Sequence, residues 1–234
     1  MTGFSRDRTR EPLLCSRNEI NGLAMKAARG AGLPWGLAEE AGWAACWLES
    51  RRLGGMSALA SNLEALASED WSLDFPEPSA GEWRAVSGIT DGLLAGVTLA
   101  DRAGLDLNPS VSILVLRKVR WPILMVPFLA EAVCPRHVAL ELQVEEHTVS
   151  VGIFPHGVDR DVEILKHKSR SGAVFLEARD LDKGNRAVLE LDGSIPIDQD
   201  AYARLEYWAH KTCVPESAES RQKGAGGGEL IETD

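Results

Sequence analysis

Twelve residues, Arg29-Gly-Ala-Gly-Leu-Pro-Trp-Gly-Leu-Ala-Glu-Glu40, do most to limit what this chain can fold into. They join two helical patterns through a glycine-rich corner. Upstream, Ser16-Arg-Asn-Glu19 matches a capping box, in which the Ser hydroxyl and the Glu carboxylate satisfy opposite orphan N–H groups. Ile20, Leu23, Ala24, Ala27 and Ala31 then recur at helical spacing and predict a first helix of about 14 residues. Lys26 and Arg29 share its other face, and Gly30 or Gly32 ends it as a left-handed cap. Downstream, Pro34 suits the first position of a second helix. Glu39 and Glu40 follow near its N-terminal end, where the dipole favours negative charge. That helix is expected to reach about Arg52 and to break at Gly54-Gly55. Its small residues, Ala38, Ala41, Gly42 and Ala45, admit a close neighbour, while Trp43, Trp47 and Leu48 supply bulk. Ser57 to Ala67 reads as a third helix.

Beyond a Pro/Ser/Gly-containing stretch at 68–82 the texture changes. Val86 to Leu99 suggests two short strands turning at Asp91-Gly92, a hairpin signal. Val111–Leu116 reads as a strand and Pro122–Val133 as a short helix. Val138–Val144, Thr148–Phe154, Asp161–Leu165, Ala173–Glu177 and Ala187–Leu191 have strand character and are separated by turn residues, the pattern of an antiparallel sheet. Asp198–Thr212 closes this part as a helix with Tyr202, Leu205, Trp208 and Ala209 on its apolar face. The fold class is therefore α+β: an N-terminal helical layer on a mostly antiparallel β-sheet, with a closing helix and a Gly-rich tail. The expected division is a helical region at 16–70, a mainly antiparallel β region at 82–212 and a flexible tail at 213–234, together forming one compact unit. Residues 1–15 read as a frayed leader.

Several classes are excluded by totals. With 234 residues and 44 % apolar content, the chain can bury a core without staples. Its longest apolar run, Trp121 to Ala130, falls far short of the roughly 20 residues that span a bilayer. The start is polar, so no secretory signal is expected. Cys15, Cys46, Cys134 and Cys213 stand apart in no metal or redox spacing, which fits a reducing cytosol. A net charge of −10 argues against nucleic acid as a main partner. The five histidines show no ligand spacing, and neither a metal nor a cofactor is expected.

Two stretches are more specific than composition. Ser16-x-Asn-Glu-Ile with Lys26-Ala-Ala-Arg-Gly-Ala-Gly32 and Trp35-Gly-x-Ala-Glu-Glu40 resembles the N-terminus of an uncharacterised bacterial family known only as a domain of unknown function. His210-Lys-Thr-x-Val-Pro-Glu-Ser217 with Ser220-Arg-x-x-Gly-Ala-Gly226 resembles the C-terminus of that family, although Cys213 stands where an aromatic usually precedes the Val-Pro. The resemblance implies no activity. It does imply that the two ends work as a unit.

The candidate site follows from that pairing. Lys26, Arg29 and the exposed N–H groups behind Gly30 and Gly32 would hold a carboxylate or phosphate. Trp35 would wall the site, Glu39 or Glu40 would move a proton, and His210 is a second acid/base candidate. Ser220 and Arg221 would grip the anion from the tail. The plainer account is a tight helix corner and a solvated tail. Two functions compete on this basis. One is a cytosolic enzyme, or an enzyme accessory subunit, acting on a small anionic metabolite. The other is a non-catalytic interaction subunit whose tail orders on binding a protein partner. No membrane partner is expected, and homo-oligomerisation is left open. Convergence of Arg29, Glu39, Glu40 and Arg221 on one enclosed pocket separates the two.

Overall fold

The computed structural model describes residues 13–68, 75, 77–79, 82–106, 114–133, 138–144, 149–154, 157–180 and 188–213. The first helix, α1 (Arg17–Gly30), starts with the expected capping box: Glu19 N–H donates to Ser16 Oγ at 3.3 Å, and Ser16 N–H donates to Glu19 Oε2 at 2.7 Å. It ends in a Schellman arrangement. Leu33 N–H reaches back to Ala28 O and Gly32 N–H to Arg29 O, with Gly32 at φ +104°. Pro34 then occupies the cap position of α2 (Trp35–Glu49), one residue earlier than its sequence placement.

Close helix packing explains the small residues. A β-carbon on Gly42 would collide with Asn21 on α1, and one on Gly55 with the Ala45 carbonyl. The third helix, α3 (Gly55–Ser68), and the closing helix, α6 (Gln199–His210), complete this cluster against α1. Arg204 of α6 donates to both carboxylate oxygens of Glu64 on α3, at 2.8 and 2.6 Å, and to Ser61 Oγ. This fork is partly exposed, so Arg204→Ala is expected to lower stability by only about 0.5–1 kcal/mol. Arg204 holds the Glu64 carboxyl below its ordinary range. A depressed carboxyl stabilises above its unfolded pKa, and the gain fades as pH falls through the folded value. Urea unfolding of the variant should therefore converge with the unmodified chain in acid.

The sheet is mostly antiparallel and the fold is α+β. Short strands β1 (Leu13–Cys15) and, near the other end of the chain, β10 (Ile195–Ile197) pair as a two-stranded ribbon. The large sheet contains β2 (Glu77–Ser79), β3 (Glu82–Arg84), β4 (Thr90–Asp91), β5 (Leu114–Arg120), β6 (Val138–Val144), β7 (Val149–Phe154), β8 (Gly157–Val158) and β9 (Arg170–Asp180). Its order is β2-β3-β5-β9-β6-β7-β8, with β4 also on β5; among the described residues only the β3–β5 and β4–β5 pairs are parallel. Two further helices, α4 (Gly92–Asp106) and α5 (Val126–Val133), link the N-terminal helices to this sheet: α5 touches α2 on one side and β6, β7 and β8 on the other. Leu48, Leu59, Leu63, Leu93, Leu116, Ile123, Leu142 and Ile153 belong to one continuous buried cluster.

Four sequence expectations need correction. Asp91-Gly92 is not a hairpin turn. Asp91 caps α4, accepting from Leu93 N–H at 2.9 Å and Leu94 N–H at 3.1 Å. A β-carbon on Gly92 would strike the Arg120 and Trp121 carbonyls, so glycine serves close packing there. Residues 161–165 form a 3-10 helix, Arg160–Leu165, because the Asp159 carboxylate accepts from Asp161 N–H at 3.1 Å and starts a turn. Residues 188–191 are no strand. They form a strap: Leu191 N–H donates to Ser50 O at 2.7 Å and Glu190 pairs with Arg17 and Arg51. Finally, α2 stops at Glu49, three residues short of Arg52.

Candidate functional site

The predicted corner does not assemble as an anion pocket among the described residues. Arg29 donates to the Leu33 carbonyl and lies 4.7 Å from the Trp35 ring centre, so its guanidinium braces the turn. Trp35 is 61 % exposed and is absent from the described linings of both large cavities. Gly30 is where α6 crosses α1, since its missing β-carbon would fall on the Trp208 carbonyl. Gly32 supplies the positive φ of the cap. Lys26 is exposed on α1, and His210 is exposed in the last turn of α6. The two ends do meet: Lys211, just beyond α6, lies near Gly30 and covers the Trp208 ring at 3.9 Å. Ser220 and Arg221 lie outside the described residues.

Glu39 and Glu40 border a different cavity, of about 440 Å³, with Trp43, Val97, Ala100, Asp101, Phe128 and Glu131. Its described lining has four carboxylates and no cation, so an anion there meets only repulsion. Partial burial raises the Glu40 carboxyl, and Asp101 and Glu39 raise it further.

Chemistry of the expected kind converges elsewhere, where α2 turns into α3. A cavity of about 550 Å³ is lined by Glu49, Arg52, Gly54, Ser57, Lys166, His167, Pro196 and Asp198. The corner is built by backbone hydrogen bonds: Leu53 N–H returns to Leu48 O and Arg52 N–H to Glu49 O. That is a second Schellman pattern, and its left-handed position is held by Arg52 at φ +60°. Glycine is the ordinary occupant there; a side-chain-bearing residue costs about 1–2 kcal/mol. The Arg52 carbonyl accepts from Lys166 Nζ at 3.1 Å. The Lys166 stem lies over Gly54, where a β-carbon would come within 3.2 Å of Cε. Lys166 is thereby fixed with its ammonium at the cavity, and neither the Arg52 guanidinium nor His167 has a hydrogen-bond or ion-pair partner among the described residues.

Glu49 completes the lining. It ends α2 and is 7 % exposed, and its Oε1 accepts from Met56 N–H, in the first turn of α3, at 2.9 Å. Burial raises its carboxyl above the ordinary glutamate range; the Met56 bond and the nearby Lys166 oppose the rise, and Asp198 adds to it. A buried carboxyl beside the unpartnered Arg52 guanidinium and the Lys166 ammonium offers both charge for an oxyanion and a group that can exchange a proton with it. Arg52, Glu49, Lys166 and His167 were not singled out from sequence. The available signal was local: Glu49-Ser-Arg-Arg-Leu-Gly-Gly55 puts arginine where a helix stop calls for glycine, with the glycines two residues late.

Residues 15–112 match a family described as "Protein of unknown function (DUF3726)". The match takes in the Ser16–Glu40 motifs and all residues of the α2–α3 corner. No curated protein matches the chain. Among solved structures, a dehydrogenase from Sinorhizobium meliloti shares the fold at 11 % identity and a TM-score of 0.53, over 84 % of this chain and 99 % of that one. Malate dehydrogenases from Pyrococcus horikoshii OT3 (10 % identity, TM-score 0.42) and Entamoeba histolytica (8 %, 0.38) align over 64 % and 61 % of this chain. The chain spans only 45 % and 44 % of the length of those two proteins. No described helix is long and apolar enough to cross a membrane.

Proposed function

We propose that the protein binds a small anionic metabolite in the α2–α3 corner cavity, as an enzyme or an enzyme's accessory subunit. Arg52, Lys166 and His167 hold the anion, and Glu49 is the acid/base group. The observation that carries this reading is Arg52. A residue kept in a left-handed conformation at a glycine position stores strain that no contact of its side chain repays, because its guanidinium has no hydrogen-bond or ion-pair partner among the described residues, and the residue lines the cavity. The fold shared with a protein described as a dehydrogenase supports an enzyme at the level of class alone. Glu39 and Glu40 have an acidic setting and take no part in anion binding.

The test exploits the opposite signs of strain and function. Arg52→Gly relieves the backbone and should stabilise the empty protein by about 1 kcal/mol. It should also weaken binding of sulfate or malonate at least tenfold. Thermal unfolding with and without each anion reads both effects, since a ligand at 100 times its Kd adds about 2.7 kcal/mol. A variant that loses stability, or keeps the full anion shift, would remove the basis for this reading.

A further inference from the structure

Resting on the anion reading of the corner cavity, we propose that the oxyanion enters together with one proton, which settles on Glu49 Oε2 and turns that carboxylate into a hydrogen-bond donor to the ligand.

The geometry divides the two oxygens of Glu49. Oε1 is committed to Met56 N–H at 2.9 Å, so the proton belongs on Oε2. Glu49 lines the cavity although it is 7 % exposed, and among the described residues it makes no ion pair that would hold it charged. Lys166, the nearest candidate partner, is tied to the Arg52 carbonyl. Arg51, two residues away on the same helix end, is buried against the Trp47 ring and pairs with Glu190 at 3.0 Å.

The charged and titratable groups lining the cavity come from several elements around it. Arg52 stands on the corner, Lys166 and His167 follow the 3-10 helix, and Asp198 caps α6. When the cavity is empty the cations partly offset the Glu49 charge. An arriving oxyanion claims those cations and leaves a charged, largely buried Glu49 facing a like charge. Protonation from solvent removes the repulsion and supplies one O–H donor; no bond within the ligand is made or broken. Carboxylates and tetrahedral oxyanions share this chemistry.

Isothermal titration of the full chain with sulfate, and separately with malonate, tests the proposal near neutral pH, where neither probe titrates. Repeating each titration in buffers of different ionisation enthalpy counts the protons. The expected result is uptake of about one proton per anion and an affinity that falls about tenfold per pH unit above neutrality. Glu49→Gln keeps the acceptor for Met56 and is neutral at all pH; it should retain binding, take up no proton and lose the pH dependence. His167→Asn should bind more weakly with the uptake intact. Tight binding by one probe and not the other assigns the class as tetrahedral or carboxylate. Binding without proton uptake, or uptake that survives in Glu49→Gln, overturns this inference and leaves the anion site standing. Absence of binding by both probes overturns the site and the inference together.

Discussion

Gly30→Ala is expected to destabilise the protein by about 3 kcal/mol, near the upper end of overpacking costs. The β-carbon would not meet a flexible side chain. It would fall on the backbone carbonyl of Trp208, with the Lys211 stem 3.4 Å away. Relief requires α6 to back away from α1, and both helices contribute to the buried cluster there, with Ala24, Ala27 and Ala28 on α1 and Leu205 and Ala209 on α6. Urea unfolding should show a lower midpoint with an unchanged slope, because the surface exposed on unfolding is the same. Gly22→Ala provides the internal contrast. Gly22 lies mid-helix in α1 with nothing within 4 Å of its would-be β-carbon. There the gain in helix propensity should stabilise by about 1 kcal/mol. A Gly30→Ala variant as stable as the parent would mean that α1 and α6 do not cross at this residue.

The contrast shows what the sequence could disclose. Ser16 and Glu19 announced α1 because a capping box is local chemistry, complete within four residues. A glycine cap at Gly30 or Gly32 was legible for the same reason, and Gly32 takes it. The packing role of Gly30 was not: its requirement comes from Trp208, which lies nearly the whole chain away. The candidate-site residues divide along the same line. A cation and a carboxylate near a glycine corner were sought at 29–40, but that corner spends Arg29 on Leu33 and Trp35. A comparable set of basic and acidic side chains lines a cavity one helix later, where Lys166 and His167 come from just beyond the Arg160–Leu165 3-10 helix, and no spacing rule connects Arg52 to Lys166. Strand alternation located β6, β7 and β9 well. It failed at 161–165 and 188–191, where the Asp159 side chain and the Glu190 ion pairs, not periodicity, decide the backbone.

Asp91 carries the second large effect, and it is where the hairpin signal misled. Asp91→Ala should cost about 3 kcal/mol. Removing the carboxylate leaves the Leu93 and Leu94 N–H groups without their acceptor inside the protein, and an unpaired buried donor costs about 1–3 kcal/mol beyond the bond itself. The cap alone accounts for about 1–2 kcal/mol. Asp91→Asn should cost far less, since an amide oxygen can accept the same two N–H groups. The pH dependence separates cap from charge. Burial pushes the Asp91 carboxyl above the ordinary aspartate range, against the pull of the Leu94 N–H, Asn62 and Arg120. The folded state therefore keeps its proton after the unfolded chain has lost it, so this residue's contribution to stability declines as pH climbs from the unfolded aspartate pKa to the folded one. Asp91→Asn cannot ionise and should flatten that part of the stability–pH curve, while Asp91→Ala flattens it at a uniformly lower level. A curve for Asp91→Asn that still falls across the same window would mean that another buried group sets the dependence and that Asp91 stays charged in the fold.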